Sequence, residues 1–427
     1  MATSITDLSS RIAKNTTIVN DYLVSKNLPG PSFGLDSPEH LLPADTPPEI
    51  TSARQAVIYD CLELRNLLLG PREQIMTIGY QATALVSPKL IIQNRLAHAF
   101  PLDSSTTFPA LATASGLGET HLRKVLRHAI AMHNIFAEPS PGIITHSAAS
   151  RLLATDPALA DWLDYTTHEH WNAAFHTPEA MTKFPGSGEP HHTGFSVAHN
   201  TGGKSFFGYM SDHPDRLRVF ASVMRYITQR PELGPELVVD AYPWGDLASG
   251  ATVVDVGGSH GLVSIELARQ FPELRFIVQD LDEPVVKNAD AKKPAEIGDR
   301  VTFMRHDFFE EQPVKGAEVY FLRAVLHNWS DGYAVKILRA LIPALKKGAK
   351  IVVNDVVMAE TGTGPKADEL RTRISDLIQL VLNNAGNREM DEWVRLFATA
   401  DPRFRFQGAT RMPGSTRLWI LVAEWEG

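Results

Sequence analysis

The C-terminal half of the chain alternates short apolar runs with stretches in which apolar residues recur at helical spacing. Such alternation is typical of strands that are each followed by an amphipathic helix. It predicts an α/β fold with a doubly wound, mainly parallel sheet, closed at one edge by an antiparallel hairpin. The predicted strands are residues 251–257, 274–280, 301–307, 317–325 and 349–357, with the last strand at 418–425.

The N-terminal half has a helical pattern that is richer in apolar positions than one core-facing stripe requires. The excess lies in residues 52–100 and predicts a helix-rich interface with a second copy of the chain; a larger monomer core is the alternative. Residues 1–50 combine a weak helical pattern with a proline-rich stretch, which predicts an N-terminal arm. Residues 231–246 are interpreted as a linker.

Residues 108–145 have the pattern of a winged helix. A helix at 108–115 is followed by a turn, by a second helix that Thr120 is expected to cap, and by a hairpin around Pro-Ser-Pro-Gly. This motif introduces an alternative function, a DNA-binding regulator. The formal net charge of −8 disfavours that alternative, since DNA-binding surfaces are usually basic.

Composition narrows the class of protein further. With 427 residues, 44% hydrophobic and 21% charged, the chain has the composition of a soluble globular protein of two or three domains. The single cysteine, Cys61, excludes an intrachain disulfide and a cysteine-based zinc cluster. The polar N-terminus and the lack of a long apolar run predict a cytoplasmic protein that does not bind membranes.

The stretch VVDVGGSHG, residues 253–261, carries the most informative chemistry. Asp255 ends a predicted strand, and Gly257, Gly258 and Gly261 follow it before a helix begins. The next predicted strand ends in Asp280, where a carboxylate can accept hydrogen bonds from ribose hydroxyls. Because the dinucleotide glycine spacing and a phosphate-binding G-K-[ST] are both missing, a ribose-containing ligand without phosphate fits better, and S-adenosylmethionine is the candidate.

A histidine follows another predicted strand. His327 lies in LHNWSD, between the strand 317–325 and an amphipathic helix. The carboxyl ends of parallel strands surround the ligand cleft of such sheets, so His327 is a better general-base candidate than the other 15 of the 16 histidines. Asp355, which ends the next predicted strand, is placed to orient its imidazole.

These segments together resemble the fungal S-adenosylmethionine-dependent O-methyltransferases, which are related to the plant caffeic-acid and flavonoid O-methyltransferases. The resemblance is carried by VVDVGGSHG, FIVQDL, HDFFE, FLRAVLHNWSD and DEWVRLFATADPRF, and it covers about residues 60–427. It implies a homodimer with three segments: the arm 1–50, a helical dimerisation and winged-helix domain 51–235, and a Rossmann-like catalytic domain 236–427.

The resemblance also implies roles for individual residues. His327 would be the base that deprotonates a hydroxyl, with Asp355 and the residue at position 387 beside it. The implied cofactor-binding residues are Asp255, Gly257, Gly258, Gly261, Asp280, Leu281, Asp307, Phe308, Arg323 and Trp329. The substrate-binding candidates are His133, Trp171, Phe220 and Met224. No metal is implied.

One position departs from the family pattern. The family has E-R-[ET] before an acidic-Trp pair, and in NNAGNREMDEW the glutamate position is occupied by Asn387, followed by Arg388. Glu389 could replace the glutamate if the loop shifts. The departure keeps open a second function, because some relatives retain S-adenosylmethionine and act as pericyclases or dehydratases on polyketide or alkaloid intermediates without methyl transfer.

Overall fold

The computed structural model describes residues 4–427 except 229, 282, 364, 365 and 416. The described chain divides into two compact units, Met1–His168 and Glu169–Gly427, which we call the N-terminal and C-terminal units. The three segments predicted from the sequence remain a prediction, and each unit is described by itself.

The N-terminal unit is mainly helical, and its arm is folded. Ser4 caps α1 (Ile5–Ser25) through a capping box with Asp7, and Val19 and Leu23 of this helix are buried with Ala53 of α2 (Pro48–Tyr80). The helix α2 bends at Gly70, which has a φ of +65°, immediately before Pro71. Its helices are α1 (Ile5–Ser25), α2 (Pro48–Tyr80), α3 (Val86–Gln93), α4 (Phe108–Ser115), α5 (Glu119–His133), α6 (Ala148–Thr155) and α7 (Pro157–Tyr165).

The winged-helix pattern is present in this unit. The helices α4 and α5 are followed by the hairpin of β2 (Ala137–Ser140) and β3 (Ile143–Thr145), and β1 (Ser105–Thr107) pairs with β3. The prediction that Thr120 caps α5 is wrong by two positions, since Gly118 is the N-cap and Glu119 begins the helix.

Large apolar side chains remain exposed on α2. The stretch Pro48–Gln93 is the one helical stretch of the described residues that is long and apolar enough to cross a membrane, by length and composition only. Core helices of soluble proteins meet the same two criteria. The exposed side chains are Ile58, Leu62, Leu67, Leu68, Ile75, Met76, Ile78 and Tyr80.

The C-terminal unit contains the predicted sheet. The order of its main strands is β10-β11-β8-β7-β4-β5-β6; the pairs from β8 to β6 are parallel, and β11 pairs antiparallel with both β8 and β10. A short β9 pairs with the end of β8. The strands are β4 (Thr252–Val256), β5 (Arg275–Asp280), β6 (Val301–Arg305), β7 (Val319–Arg323), β8 (Lys350–Met358), β9 (Arg388–Glu389), β10 (Phe404–Arg411) and β11 (Leu418–Trp425).

Both faces of this sheet are buried, which explains why its strands are almost continuously apolar. One face packs on Ile337 and Leu338 of α14 and on Trp393 of α16, and the other on Leu267 of α12. The helices of the unit are α8 (Trp171–Lys183), α9 (Gly194–His199), α10 (Phe206–Ser211), α11 (Pro214–Thr228), α12 (Leu262–Gln270), α13 (Glu283–Lys292), α14 (Asp331–Leu341), α15 (Lys366–Asn383) and α16 (Met390–Ala400).

The linker interpretation of residues 231–246 is wrong. This stretch forms short 3₁₀ turns, and Leu233, Val238 and Trp244 are buried against the sheet. The indole nitrogen of Trp244 donates to the carbonyl oxygen of Val238 at 2.9 Å, so the buried ring has its polar atom satisfied.

Candidate active site

The turn between β4 and α12 brings the backbone close to the strand ends. The N–H groups of Gly257 and Gly258 both donate to the carbonyl oxygen of Gln279, at 2.9 and 3.0 Å. Gly257 has a φ of +76°, and a Cβ there would lie 3.0 Å from Val325. Gly258 lies against the side chain of Asp255, because a Cβ on Gly258 would be 2.5 Å from the carboxylate carbon of Asp255. This turn therefore requires glycine for both its conformation and its close packing.

Gly261 lies where the start of α12 packs closely on the sheet. A Cβ at Gly261 would lie 2.9 Å from the ring of Phe303 and 3.1 Å from Val278. The absent side chain lets the start of α12 pack onto β5 and β6. Gly261 thus allows the close packing of the helix on the sheet, and its role in the cofactor pocket stays a prediction.

Asp255 and Arg323 form the buried electrostatic centre of the site. Burial raises the pKa of Asp255 to about 6, and the hydrogen bond from Ser264 and the charge of Arg323 partly offset that rise. The Ser264 hydroxyl donates to Asp255 at 2.6 Å. Burial lowers the pKa of Arg323 to about 10. One Arg323 nitrogen donates to the carbonyl oxygen of Leu233, and its Nη1 has no hydrogen-bond partner among the described residues.

The remaining acids predicted to bind the cofactor lie at the same edge of the sheet. Asp280 is the last residue of β5, and its carboxylate accepts from the backbone N–H of Ser259 at 3.0 Å. Asp307 lies two residues beyond the end of β6 rather than in the strand, and it accepts from the N–H of Phe309 at 3.0 Å. Leu281 has an exposed side chain.

Aromatic rings surround Trp329 beside these acids. Phe308 and Phe309 both meet Trp329 edge to face, with ring centroids 5.9 and 4.7 Å apart. Tyr333 stacks with Trp329 at 5.8 Å and an interplanar angle of 23°. The ring of Phe207 of α10 lies 6.2 Å from that of Trp329 at an interplanar angle of 29°. The rings form an apolar wall of the kind that binds a flat heterocycle.

His327 and Asp355 form the predicted pair. The backbone N–H of His327 donates to Asp355 Oδ2 at 3.3 Å, and His327 Nδ1 is hydrogen-bonded to Asp355 Oδ1. Asp355 is fully buried inside β8, not at its end as the sequence suggested, and also accepts from the N–H of Val356 at 2.8 Å. Since a carboxylate only accepts, Nδ1 carries the ring proton and leaves Nε2 to accept another.

Arg388 holds the turn that carries His327, a role that the sequence reasoning missed. Its guanidinium donates at 2.8 Å each to the carbonyl oxygens of Leu326 and Trp329 and to Asp331. These groups lie on both sides of His327. The side chain is 5% exposed, and its planar group lies 5.2 Å from the ring of Trp393. The sequence signal for this role was the position of Arg388 in the E-R-[ET] motif of the family.

Asn387 does not contact His327 through any hydrogen bond of the described residues. Its backbone N–H donates to Asp376 Oδ1 at 2.8 Å, and its side-chain nitrogen donates to the carbonyl oxygen of Thr372 at 3.4 Å. Its Oδ1 is buried and unpartnered in this part of the chain. Glu389 does not take its place, since it caps α16 and pairs with Arg373 at 3.3 Å.

The substrate-binding candidates are distributed over both units. His133 ends α5 in the N-terminal unit, where its Nε2 is hydrogen-bonded to the carbonyl oxygen of Ala84 at 2.7 Å. In the C-terminal unit, Trp171 begins α8, and Phe220 and Met224 lie on α11, all three half-buried. The ring of Phe220 is 6.2 Å from that of Phe207, which connects it to the aromatic wall.

The donor set fits a nucleoside-containing cation. A buried guanidinium nitrogen without a hydrogen-bond partner among the described residues suits a carboxylate, and the carboxylates of Asp255 and Asp280 are of the type that suits an ammonium group and ribose hydroxyls. No group of three or more His, Cys, Asp or Glu side chains among the described residues could hold a metal ion.

Comparison with known proteins identifies the family of this chain. The O-methyltransferase domain family matches residues 189–402. The chain is 40% identical to the O-methyltransferase pyvH of Aspergillus violaceofuscus, covering 100% of both chains. It is also 40% identical to the grayanic acid biosynthesis cluster O-methyltransferase of Cladonia grayi, covering 100% of this chain and 89% of that one.

Two solved structures show the same fold. OxaC in complex with sinefungin and meleagrin has a TM-score of 0.74 at 21% identity, covering 97% of this chain and 98% of that one. LepI in complex with SAM has a TM-score of 0.71 at 22% identity, covering 98% of this chain and 99% of that one.

Proposed function

We propose that this chain, which belongs to the O-methyltransferase family, methylates an aromatic hydroxyl of a secondary metabolite with His327 as general base. Its cofactor is S-adenosylmethionine, and its reaction is O-methylation of a small molecule. The single observation that carries the proposed mechanism is the hydrogen bonding of His327 to the buried Asp355.

The pair supplies a general base in which the proton-accepting atom is defined. Asp355 holds the Nδ1 proton and fixes the ring, so Nε2 accepts the proton of the substrate hydroxyl as that oxygen attacks. The cation that then forms on the imidazole is stabilised by the carboxylate of Asp355. Arg388 keeps the backbone on both sides of His327 in place during this transfer.

The choice of base favours a phenolic rather than an aliphatic hydroxyl. A phenol has a pKa of about 10 and a free imidazole a pKa of about 6.5, whereas the pKa of an aliphatic alcohol is far higher, close to that of water. Because the pKa difference from imidazole is smaller for a phenol, a single histidine can deprotonate a phenol. The half-buried Phe220 and the aromatic wall beside Trp329 also suit an aromatic acceptor.

The bound cofactor supplies an electrophilic methyl group on a positively charged sulfur. Asp280 is proposed to accept from the ribose hydroxyls, and Phe308 and Trp329 to pack on the adenine. Arg323 Nη1 is proposed to donate to the cofactor carboxylate and Asp255 to attract its ammonium group. Gly257 and Gly258 are proposed to line the cofactor through the tight turn that they form.

Label transfer tests the proposed acceptor class. The protein is incubated with methyl-labelled S-adenosylmethionine and with matched pairs of phenols and cyclohexanols. We expect labelled ethers from phenols only, with release of S-adenosylhomocysteine. Equal labelling of aliphatic alcohols would contradict the phenol assignment.

The pericyclase or dehydratase alternative has less support. The departure at Asn387 favours it, but similarity to LepI at 22% identity shows the fold alone, whereas the fungal relatives at 40% identity are O-methyltransferases. Cofactor binding combined with an isomerised or dehydrated product and no transferred label would favour the alternative.

We also propose that the protein is a homodimer through α2. Supporting side chains include Leu68 and Ile75, which are 66% and 70% exposed, on a helix that has few buried residues of its own. Light scattering after size exclusion should give twice the chain mass of 47.1 kDa, and Leu68→Glu combined with Ile75→Glu should give the monomer. A monomeric unsubstituted protein at micromolar concentration would contradict this proposal.

A further inference from the structure

Residues 184–193, which we name the strap, connect α8 to α9 and are fastened to the chain that follows α15. Asn384 lies three residues before Asn387, and its side-chain nitrogen donates to the carbonyl oxygens of Ser187 and Glu189, at 2.7 and 3.1 Å. One side chain therefore fixes two points of the strap backbone.

The strap is also fastened to the segment that carries His327. The Ser330 hydroxyl donates to the carbonyl oxygen of Gly188 at 2.7 Å, and the Tyr333 hydroxyl donates to Glu189 Oε2 at 2.7 Å. A Cβ at Gly188 would lie 3.0 Å from Ser330 Oγ, so the backbone approach here is close. Ser330 and Tyr333 lie three and six residues after the base.

Contacts within the strap make it rigid. The rings of Phe184 and His192 stack at 3.8 Å with an interplanar angle of 3°, and His192 Nδ1 is hydrogen-bonded to the Ser187 hydroxyl at 2.7 Å. The backbone N–H of His192 donates to the carbonyl oxygen of Glu189 at 3.0 Å. A rigid strap can transmit a fixed position to the residues that it holds.

The residue that the strap holds belongs to the aromatic wall. Tyr333 stacks with Trp329 and meets Phe309 edge to face at 5.8 Å. Its hydroxyl is committed to Glu189, and this bond is the first cause of the raised pKa of Tyr333. The hydrogen bond to Glu189 of the strap therefore fixes the orientation of the Tyr333 ring, and the Tyr333 ring in turn packs on Trp329.

We propose that Glu189 is a positioning residue for cofactor binding, which acts by holding Tyr333 and thereby the ring of Trp329 against which the adenine packs. The inference rests on the proposed function for the location of the adenine. The strap thereby acts on cofactor binding, although Glu189 itself does not contact the cofactor.

Binding of S-adenosylhomocysteine, measured by calorimetry, tests the proposal without a substrate. Loss of one charge-assisted hydrogen bond should weaken binding about 5-fold in Glu189→Ala and in Tyr333→Phe. Glu189→Gln keeps an oxygen acceptor and should bind within about 2-fold of the unsubstituted protein. The double variant Glu189→Ala, Tyr333→Phe should be no weaker than Glu189→Ala, because both changes remove the same bond.

Two controls separate positioning from general destabilisation. Glu179→Ala removes an exposed acid of α8 that pairs with His176 and should not change the affinity. Hydrogen exchange of the strap should slow when S-adenosylhomocysteine binds the unsubstituted protein, and this protection should be reduced in Tyr333→Phe.

The outcomes are distinguishable. Unchanged affinity in Glu189→Ala and Tyr333→Phe, or weakening of the double variant by the product of the two single effects, would overturn the role of Glu189 and leave the proposed function intact. Failure of the unsubstituted protein to bind S-adenosylhomocysteine would overturn the proposed function together with this inference.

Discussion

The carboxylate of Asp355 accepts hydrogen bonds from both the backbone N–H and the Nδ1–H of His327, 28 residues earlier in the chain. One buried acid therefore fixes both the position of the turn and the tautomer of the ring. The family arrangement implied by the resemblance has two acids beside this histidine, and the described structure brings only Asp355 to it.

Replacing the base should separate catalysis from cofactor binding. His327→Ala is expected to lower the transfer rate by at least about 100-fold, since a positioned general base contributes that much or more. The affinity for S-adenosylhomocysteine should stay within about 2-fold, since the proposed cofactor contacts are made by other residues. Single-turnover rates and calorimetry measure the two quantities, and His121→Ala on the exposed face of α5 is the control.

Asp355→Asn keeps the size of the side chain and removes its charge. The transfer rate should fall about 10-fold or more, since an amide can present its N–H to Nδ1 and select the wrong tautomer. A rate equal to that of the unsubstituted protein would show that the imidazole is oriented by another group.

A glutamate at position 387 should destabilise the protein rather than restore the family arrangement. The new carboxylate would be buried beside Asp376, whose pKa is already raised by burial, and like charges repel in such a site. Asn387→Glu should lose roughly 1–3 kcal/mol of unfolding free energy at pH 7.5 in urea. Adding Asp376→Asn should recover part of that loss; a faster transfer rate in the single variant would instead place the new acid beside His327.

Arg388→Lys should reduce turnover more than it reduces cofactor affinity. Lysine keeps the charge but cannot direct three separate N–H groups to Leu326, Trp329 and Asp331, so the His327 turn loosens. The expected loss is roughly 2 kcal/mol of unfolding free energy, with a lower kcat. The control Arg405→Lys alters an exposed pair with Glu426, and its kinetics should match those of the unsubstituted protein.

The raised pKa of Asp255 predicts a pH dependence of stability. Between its ordinary pKa and the folded value of about 6, the folded state binds more protons than the unfolded state, so this group lowers stability as the pH rises from about 4 to about 6 and adds no further change above. A shift of about two pKa units corresponds to at most roughly 3 kcal/mol.

Asp255→Asn should remove that dependence. Relative to the unsubstituted protein, the unfolding free energy of the variant should rise between pH 4.5 and pH 6.5, whereas exposed Asp299→Asn should give a constant difference. Cofactor affinity of the unsubstituted protein should increase over the same interval, since the ionised acid attracts a cation. A pH-independent difference for Asp255→Asn would show that the acid is ionised throughout.

The periodic apolar pattern was sufficient to predict the sheet and to place His327 shortly after one of its strands. Continuous apolar strands such as β4 and β8 can be recognised because both faces of a parallel sheet are buried. The same pattern misassigned residues 231–246, because short 3₁₀ turns have no long period, and only burial of Val238 and Trp244 reveals that they belong to the core.

The sequence by itself determined the fold class, the glycine turn after β4 and the histidine that follows β7, because each depends on local spacing along the chain. Only the tertiary structure decided which distant groups meet: Asp355 with His327, Arg388 with the carbonyl oxygens around the base, and Asn384 with the strap. The physical reason is that hydrogen bonds between segments depend on side-chain direction and on loop conformation, such as the left-handed backbone of Asn384 at φ +52°, which no sequence period encodes.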